Sequence, residues 1–413
     1  MLDILEPNEP VHLGSSTIIR IEDQLVDIPA ELILRLLPTP VFTIEAVLPN
    51  VFLEKRPLDI ELQNGACLRS VCGSFDLNTG EGVLLPQRQP VDVRDDGRPL
   101  SAVTFSLINF PQLLGNQSIP SINGSIMTSI SHATLADSDW TVELTGVNNI
   151  SEVCTTLQRD RGFGVTYTGR IIRTSGATFS VKRASVLLDA LRMLLSFARG
   201  SACGVTLVEG QDEHGAQSWM RWGVHHVDSW RQSRSWFRGL NGADSLSELF
   251  PEHWRLFRDD RDWRSTMTRA IDWYLVSNTS PAYVGIVLTQ AALEVLSHQE
   301  LGREKKRGES TGKFVACATK GMGIDIRLGA GCEALDALAR VGRLPANGLE
   351  AINSVRNDLV HAKQKLGELP NEVHHEAWNL GQWYIERMLL HKLHYQGSIL
   401  NRLTGERHNR TTA

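Results

Sequence analysis

The spacing of hydrophobic and polar positions changes along this chain. Up to about residue 180, apolar residues come in short runs rich in β-branched and aromatic types. Examples are VFTIEAVLP (41–49), VTFSLINF (103–110), WTVELTGV (140–147) and FGVTYTGRIIR (163–173). Turn-forming clusters such as DLNTGEG (76–82) and RDDGRP (94–99) separate them. β-branched and aromatic side chains fit a pleated, half-buried surface, and Gly, Asn, Asp and Pro interrupt it. The pattern predicts a β-rich sandwich or barrel-like region without internal repeats. A helix over 181–199 follows, with Val186, Leu187, Ala190, Leu191, Leu194, Leu195 and Ala198 on one face and Gly200 as its stop. A hairpin-like pair, CGVTLVEG and SWMRWGVHHV, occupies 203–227.

After residue 236 the period is helical throughout. HWRLFRDDRDWRSTMTRAIDWYLVSN reads as one long amphipathic segment. SPAYVGIVLTQAALEVLSHQEL follows, with Ser280 placed to cap it and Pro281 in its first turn. Then come a polar linker (302–313), shorter segments over 314–342, and NGLEAINSVRNDLVHAKQKL, whose Asn347 and Glu350 approximate a capping box. A last helix runs through EVHHEAWNLGQWYIERMLLHKLHY. The expectation is an α+β multidomain protein. A β-rich N-terminal region (1–235) precedes an all-α bundle (236–396), and a frayed polar tail (397–413) ends the chain.

Composition narrows the classes. The 413 residues exceed one typical domain, and 42% hydrophobic with 22% charged residues is that of a globular protein. VLLDALRMLLSFA (186–198) is interrupted by Asp189 and Arg192, too short and too charged for a membrane span. The N-terminus lacks the pattern of a secretory signal, and the six cysteines form no CxxC pair, so reduced thiols in the cytoplasm are expected. Net charge is −5, which argues against a bulk nucleic-acid coat. Lys and Arg outnumber Asp and Glu by 23 to 21 from Trp236 onward, against 19 to 26 before it, so an anionic ligand is better tolerated in the C-terminal part.

The stretch VRNDLVHAK (355–363) carries the candidate chemistry. On a helix, Asn357 and His361 lie one turn apart on one face, and Arg356 sits at its edge. Ile352, Val355, Leu359 and Ala362 form the neighbouring apolar stripe. A cation, an amide and a group titrating near neutral pH suit a phosphodiester. A second Arg-x4-His, Arg221 to His226, falls in a strand-like stretch where an offset of five points the side chains to opposite faces.

VRNDLVHAK resembles the signature of HEPN domains: Arg, a polar residue, three more residues, then His. AYVGIVLTQAALEVLSHQE, with Glu294 in its middle, is similar to the earlier helix of the Apea-like HEPN group, which has a similar acidic position. The resemblance covers about residues 240–395, and a β-rich region ahead of the helices is that group's usual layout. It implies an all-α HEPN bundle acting as a homodimer and metal-independent endoribonuclease, without cofactor or metal, in antiviral defence. Arg356 would stabilise charge on the scissile phosphate, His361 would act as general acid/base, Asn357 would orient them, and Glu294 would be auxiliary. The nucleophile would be the RNA's own 2′-hydroxyl, leaving DNA inert. The N-terminal region would bind a phage or host trigger, and no membrane is implied. Lys363 stands where some HEPN toxins carry a tyrosine modified by a partner nucleotidyltransferase. The alternatives are a non-catalytic dimerisation module with a β recognition domain, and a toxin held by a separate partner.

Weaker signals complete the picture. GESTGKF (308–314) has one residue too few between its glycines for a phosphate-binding loop, and Phe314 replaces the magnesium-binding hydroxyl. Arg303, Lys305, Lys306, Arg307 and Lys313 around it, with Lys363, are candidate RNA-backbone contacts beside the reading of a solvated loop. Seven of the ten tryptophans lie between Trp219 and Trp273, at spacings that favour packing. No histidine pair matches a metal pattern.

Overall fold

The computed structural model describes residues 6–49, 57–120, 126–238, 242–361 and 368–409. The chain divides into two compact units, Met1–Arg192 with Cys203–Gln232, and Met193–Ala202 with Ser233–Ala413.

In the first unit, β1 (Val11–Ile21), β2 (Gln24–Arg35), β3 (Val41–Val47), β4 (Leu58–Leu62), β5 (Cys67–Phe75) and β6 (Glu81–Pro86) close a barrel in the order β1-β2-β3-β6-β5-β4. Alternation explains its interior. Ile28, Ala30 and Leu32, Phe42, Ile44 and Ala46, and Leu58, Ile60 and Leu62 sit two apart, so each set shares one face and packs into one cluster. The remaining strands are β7 (Val91–Asp95), β8 (Ala102–Ile108), β9 (Leu114–Pro120), β10 (Ile126–Ile130), β11 (His132–Ala136) and β12 (Trp140–Gly146). Helix α1 (Ile150–Asp160), β13 (Val165–Arg173), helix α2 (Val181–Arg199), β14 (Gly204–Gln211) and β15 (Gln217–Trp222) follow. Seven of these strands make an antiparallel sheet in the order β11-β12-β13-β8-β14-β15-β7, and β9 pairs with β10.

The second unit contains α3 (Gly242–Asp259), α4 (Arg261–Thr279), α5 (Ala282–Leu301), α6 (Thr311–Gly321), α7 (Glu333–Arg340), α8 (Gly348–Val360) and α9 (Asn371–Lys392). The single long segment expected over 253–278 is two helices, because the Asp260 carboxylate accepts from Trp263 N at 2.9 Å and starts α4 afresh. The start of α5 also differs: Pro281 is its N-cap, and Ser280 closes α4 instead.

The expected fold class is corrected in both halves. The N-terminal half holds a closed six-stranded barrel and a separate seven-stranded sheet, not one sandwich or barrel. The second unit is not all-α, because β16 (Ser398–Leu400) and β17 (Arg407–Asn409) form a hairpin after α9, and an isolated bridge joins Arg327 to Asn347. The polar stretch from residue 397 is thus built into the fold. Arg402, between the two strands, is 4% exposed. Its Nη2 donates to Glu386 Oε1 at 2.9 Å and to the Arg234 carbonyl at 2.6 Å, and Tyr274 donates to the same Glu386 oxygen at 2.6 Å. Burial pushes the Glu386 carboxyl up from the usual carboxylate range against the pull of Arg402. A buried carboxylate needs this counter-charge, and the hairpin delivers it.

Arg402→Met is expected to cost about 3–5 kcal/mol in urea unfolding, because it strands the Glu386 charge. Adding Glu386→Met should restore most of that loss, a recovery an exposed ion pair would not show.

Candidate active site

Helix α8 is placed by its ends and by two close contacts. The Asn347 side chain accepts from Leu349 N at 3.0 Å and Glu350 N at 3.4 Å, and its Nδ2 donates to Glu350 Oε1 at 3.3 Å. A Cβ on Gly312 of α6 would lie 2.9 Å from Glu350 Cα, and one on Gly348 would lie 2.8 Å from the Tyr384 hydroxyl of α9. Both positions need glycine for close approach, so Gly312 serves helix packing and not a phosphate loop. Leu349, Ile352 and Val355 are buried, and Leu359 is half-buried. Ala362 and Lys363 lie outside the described residues.

Of the three predicted residues, Arg356 and Asn357 meet through their side chains, and His361 joins them through its backbone N–H alone. The helix ends at Val360, and His361 is its C-cap with extended backbone (φ −102°, ψ 137°). Asn357 Oδ1 accepts from Arg356 Nη1 at 3.1 Å, and the Asn357 carbonyl accepts the last helical backbone bond from His361 N–H at 3.1 Å. Arg356 is half-buried, and its Nε is shielded without a hydrogen-bond partner. Among the described residues no carboxylate lies within ion-pair distance of Arg356. His361 is exposed. A half-buried guanidinium with no carboxylate partner among the described residues has the charge and shape to take an anion.

The other predicted site residues lie in different settings. Glu294 is half-buried and pairs with Lys305, and its second contact is His298 Nε2 at 3.9 Å; neither leads to Arg356. Lys305 also donates to Thr311 Oγ1 at 3.0 Å. Arg303 holds Glu309 through two bonds of 2.9 and 3.0 Å, and this guanidinium holds the Glu309 carboxyl down to about 2. Both cations are spent on carboxylates, whereas Lys306, Arg307 and Lys313 are exposed. Sequence reasoning passed over Asp358, which is 9% exposed in the last turn of α8. It also set aside His374 on α9. Burial pushes the His374 imidazole down from its ordinary value, His375 adds to this, and the Asp358 carboxylate opposes it.

Comparison with known proteins adds two domain matches and one relative. Residues 95–233 match the family described as YopA central domain, and residues 260–412 match the YopA C-terminal domain. The chain is 26% identical over 310 residues to the SPbeta prophage-derived uncharacterized protein YopA of Bacillus subtilis (strain 168), covering 74% of this chain and 69% of that one. No solved structure matches. No helix among the described residues is long and apolar enough to cross a membrane.

His374 should titrate below the ordinary 6.5 in an NMR pH titration of its ring protons, and Asp358→Asn should lower it further. A folded value below the unfolded one means the unfolded chain binds the extra proton. The histidine is neutral in its effect above 6.5, and stability falls as pH drops through that value toward the folded pKa. Titration at or above 6.5 would exclude this placement.

Proposed function

We propose that Arg356, Asn357 and His361 form a metal-independent RNA-cleaving site of the HEPN type. The observation that supports this most directly is the half-buried Arg356 guanidinium, held by Asn357 without an acid partner among the described residues. Folding normally gives such a group a carboxylate. Here a phosphate of the substrate takes that place, and the guanidinium is strongest toward the extra negative charge of the pentacovalent transition state.

The chemistry follows from the groups present. The RNA 2′-oxygen attacks the adjacent phosphorus and gives up its proton, the bond from phosphorus to the 5′-oxygen breaks, and that oxygen takes a proton. The products are a 2′,3′-cyclic phosphate and a 5′-hydroxyl. An imidazole can serve as base or acid, but not both in one step. The reading therefore includes a homodimer, in which His361 of one copy accepts the proton and His361 of the other donates one. The β-rich unit is proposed to bind the trigger. A prophage-derived relative supports a role in conflict between phage and host.

The purified chain should cut single-stranded RNA in EDTA and leave DNA intact. Arg356→Ala and His361→Ala should each lower the rate by about 100-fold or more, and mass spectrometry should find cyclic phosphate ends. Variants that cut as fast as the unaltered chain, or products with 3′-hydroxyl ends, would overturn the assignment.

A further inference from the structure

A second cluster of arginines lies in the barrel-and-sheet unit, at the end of α1. Ile150, Val153 and Leu157 bury one side of this helix, and it stops at Arg161. Arg161 has φ 67° and ψ −162°, a backbone region that glycine occupies easily and an arginine does not. The turn is held in that shape from several sides. Asn8 Nδ2 donates to the Arg161 carbonyl at 3.0 Å, and Asn8 Oδ1 accepts from Phe163 N at 2.7 Å. Buried Asn109 donates to the carbonyls of Gly162 and Asp228, both at 3.0 Å, and accepts from Gly164 N at 3.0 Å. Gly162 N donates to Ser229 Oγ at 3.0 Å, and Trp230 N donates to the Gly162 carbonyl at 2.7 Å. These bonds lock the turn against the segment 228–232.

Between them lies an open cleft of about 630 Å³ lined by Gln158, Arg161, Ser229, Trp230, Arg231 and Gln232. No carboxylate lines it. The neighbouring Arg159 is spent on Asp160 through two bonds of 2.7 Å. Arg161 has no such partner among the described residues. Arg231 stands 3.6 Å from Asp228 through Nη2, and its Nε is shielded without a partner. Asp228 is itself engaged by His226 at 3.4 Å. The cleft thus offers two guanidiniums, an indole, two carboxamides and a hydroxyl on a backbone organised before any ligand arrives.

We propose that this cleft binds a nucleotide unit, with the base against Trp230 and its phosphate between Arg161 and Arg231. Indoles stack on any base, guanidiniums take phosphate, and the amides of Gln158 and Gln232 pair with base edges. Free nucleotide and single-stranded RNA share this chemistry. The site does not depend on the Arg356 reading, because its readout is binding and not cleavage.

The test uses the full chain carrying Arg356→Ala, so that RNA stays intact. Binding is followed with AMP by calorimetry and with a labelled single-stranded oligouridine by fluorescence anisotropy. Arg161→Gly relieves the backbone, so its melting temperature should hold or rise while affinity falls about tenfold or more; Trp230→Leu should lower affinity similarly. Binding of AMP identifies a free-nucleotide site, and binding of the oligonucleotide alone identifies a strand-binding site. The proposal is overturned if neither probe binds, or if Arg161→Gly and Trp230→Leu bind as the parent does.

Discussion

A carboxylate placed in the middle of a helical core cannot be left alone, and Glu386 on α9 is such a group, with no exposed surface. Isolating an ion from water costs several kcal/mol even after the protein relaxes. The answer is Arg402, which reaches Glu386 from beyond the end of α9. That single pairing makes the last residues a part of the core. The chain must turn back after Lys392, and the β16–β17 hairpin is the shape of that return, with Leu400 N bonded to the Trp236 carbonyl at 2.9 Å. Tyr274 and Asn278 of α4 are drawn into the same network, as is the Arg234 carbonyl ahead of α3. The start, middle and end of the unit are tied at one point.

The candidate site inherits this rigidity through α9. Gly348 sets the first turn of α8 against Tyr384, two residues before Glu386, and Gly312 brings α6 onto its middle. The Arg356 backbone is therefore on a fixed element, and Asn357 fixes its guanidinium. His361 is different in kind. It stands at the C-cap, with extended backbone, where the helix has stopped. In the proposed reaction, the held guanidinium would meet the charge that builds on phosphorus, and an imidazole at the helix end would move a proton.

Much of this was legible in the order of residues. Strands at 41–47, 102–108, 140–146 and 165–173 and the helix at 181–199 follow from side-chain type and period, because each buries a face of its own. The Asn347 cap was legible for the same local reason. What escaped was non-local. Barrel closure depends on β1 meeting β4, which no window of sequence contains. The tail read as solvent-exposed because Arg402 and its polar neighbours look solvated until Glu386 is placed beside them. The break at Asp260 was hidden because apolar residues on both sides keep a helical spacing. The end of α8 was missed because Val360 continues the pattern while the backbone does not.

Many arginines of this chain are explained by the carboxylates they hold. Arg402, Arg303, Arg221 and Arg35 each hold a carboxylate, and in each case the pair explains the residue. Arg356 and Arg161 have no such explanation. The first is half-buried with a shielded, unpartnered Nε, a costly arrangement that it shares with Arg192. The second keeps a side chain on a backbone where glycine would relieve strain of about 1–3 kcal/mol. Under the two proposals above, each site takes a negatively charged group from outside. Phosphate carries that charge in a shape the planar guanidinium fits, and RNA or its nucleotides would bring it to both places.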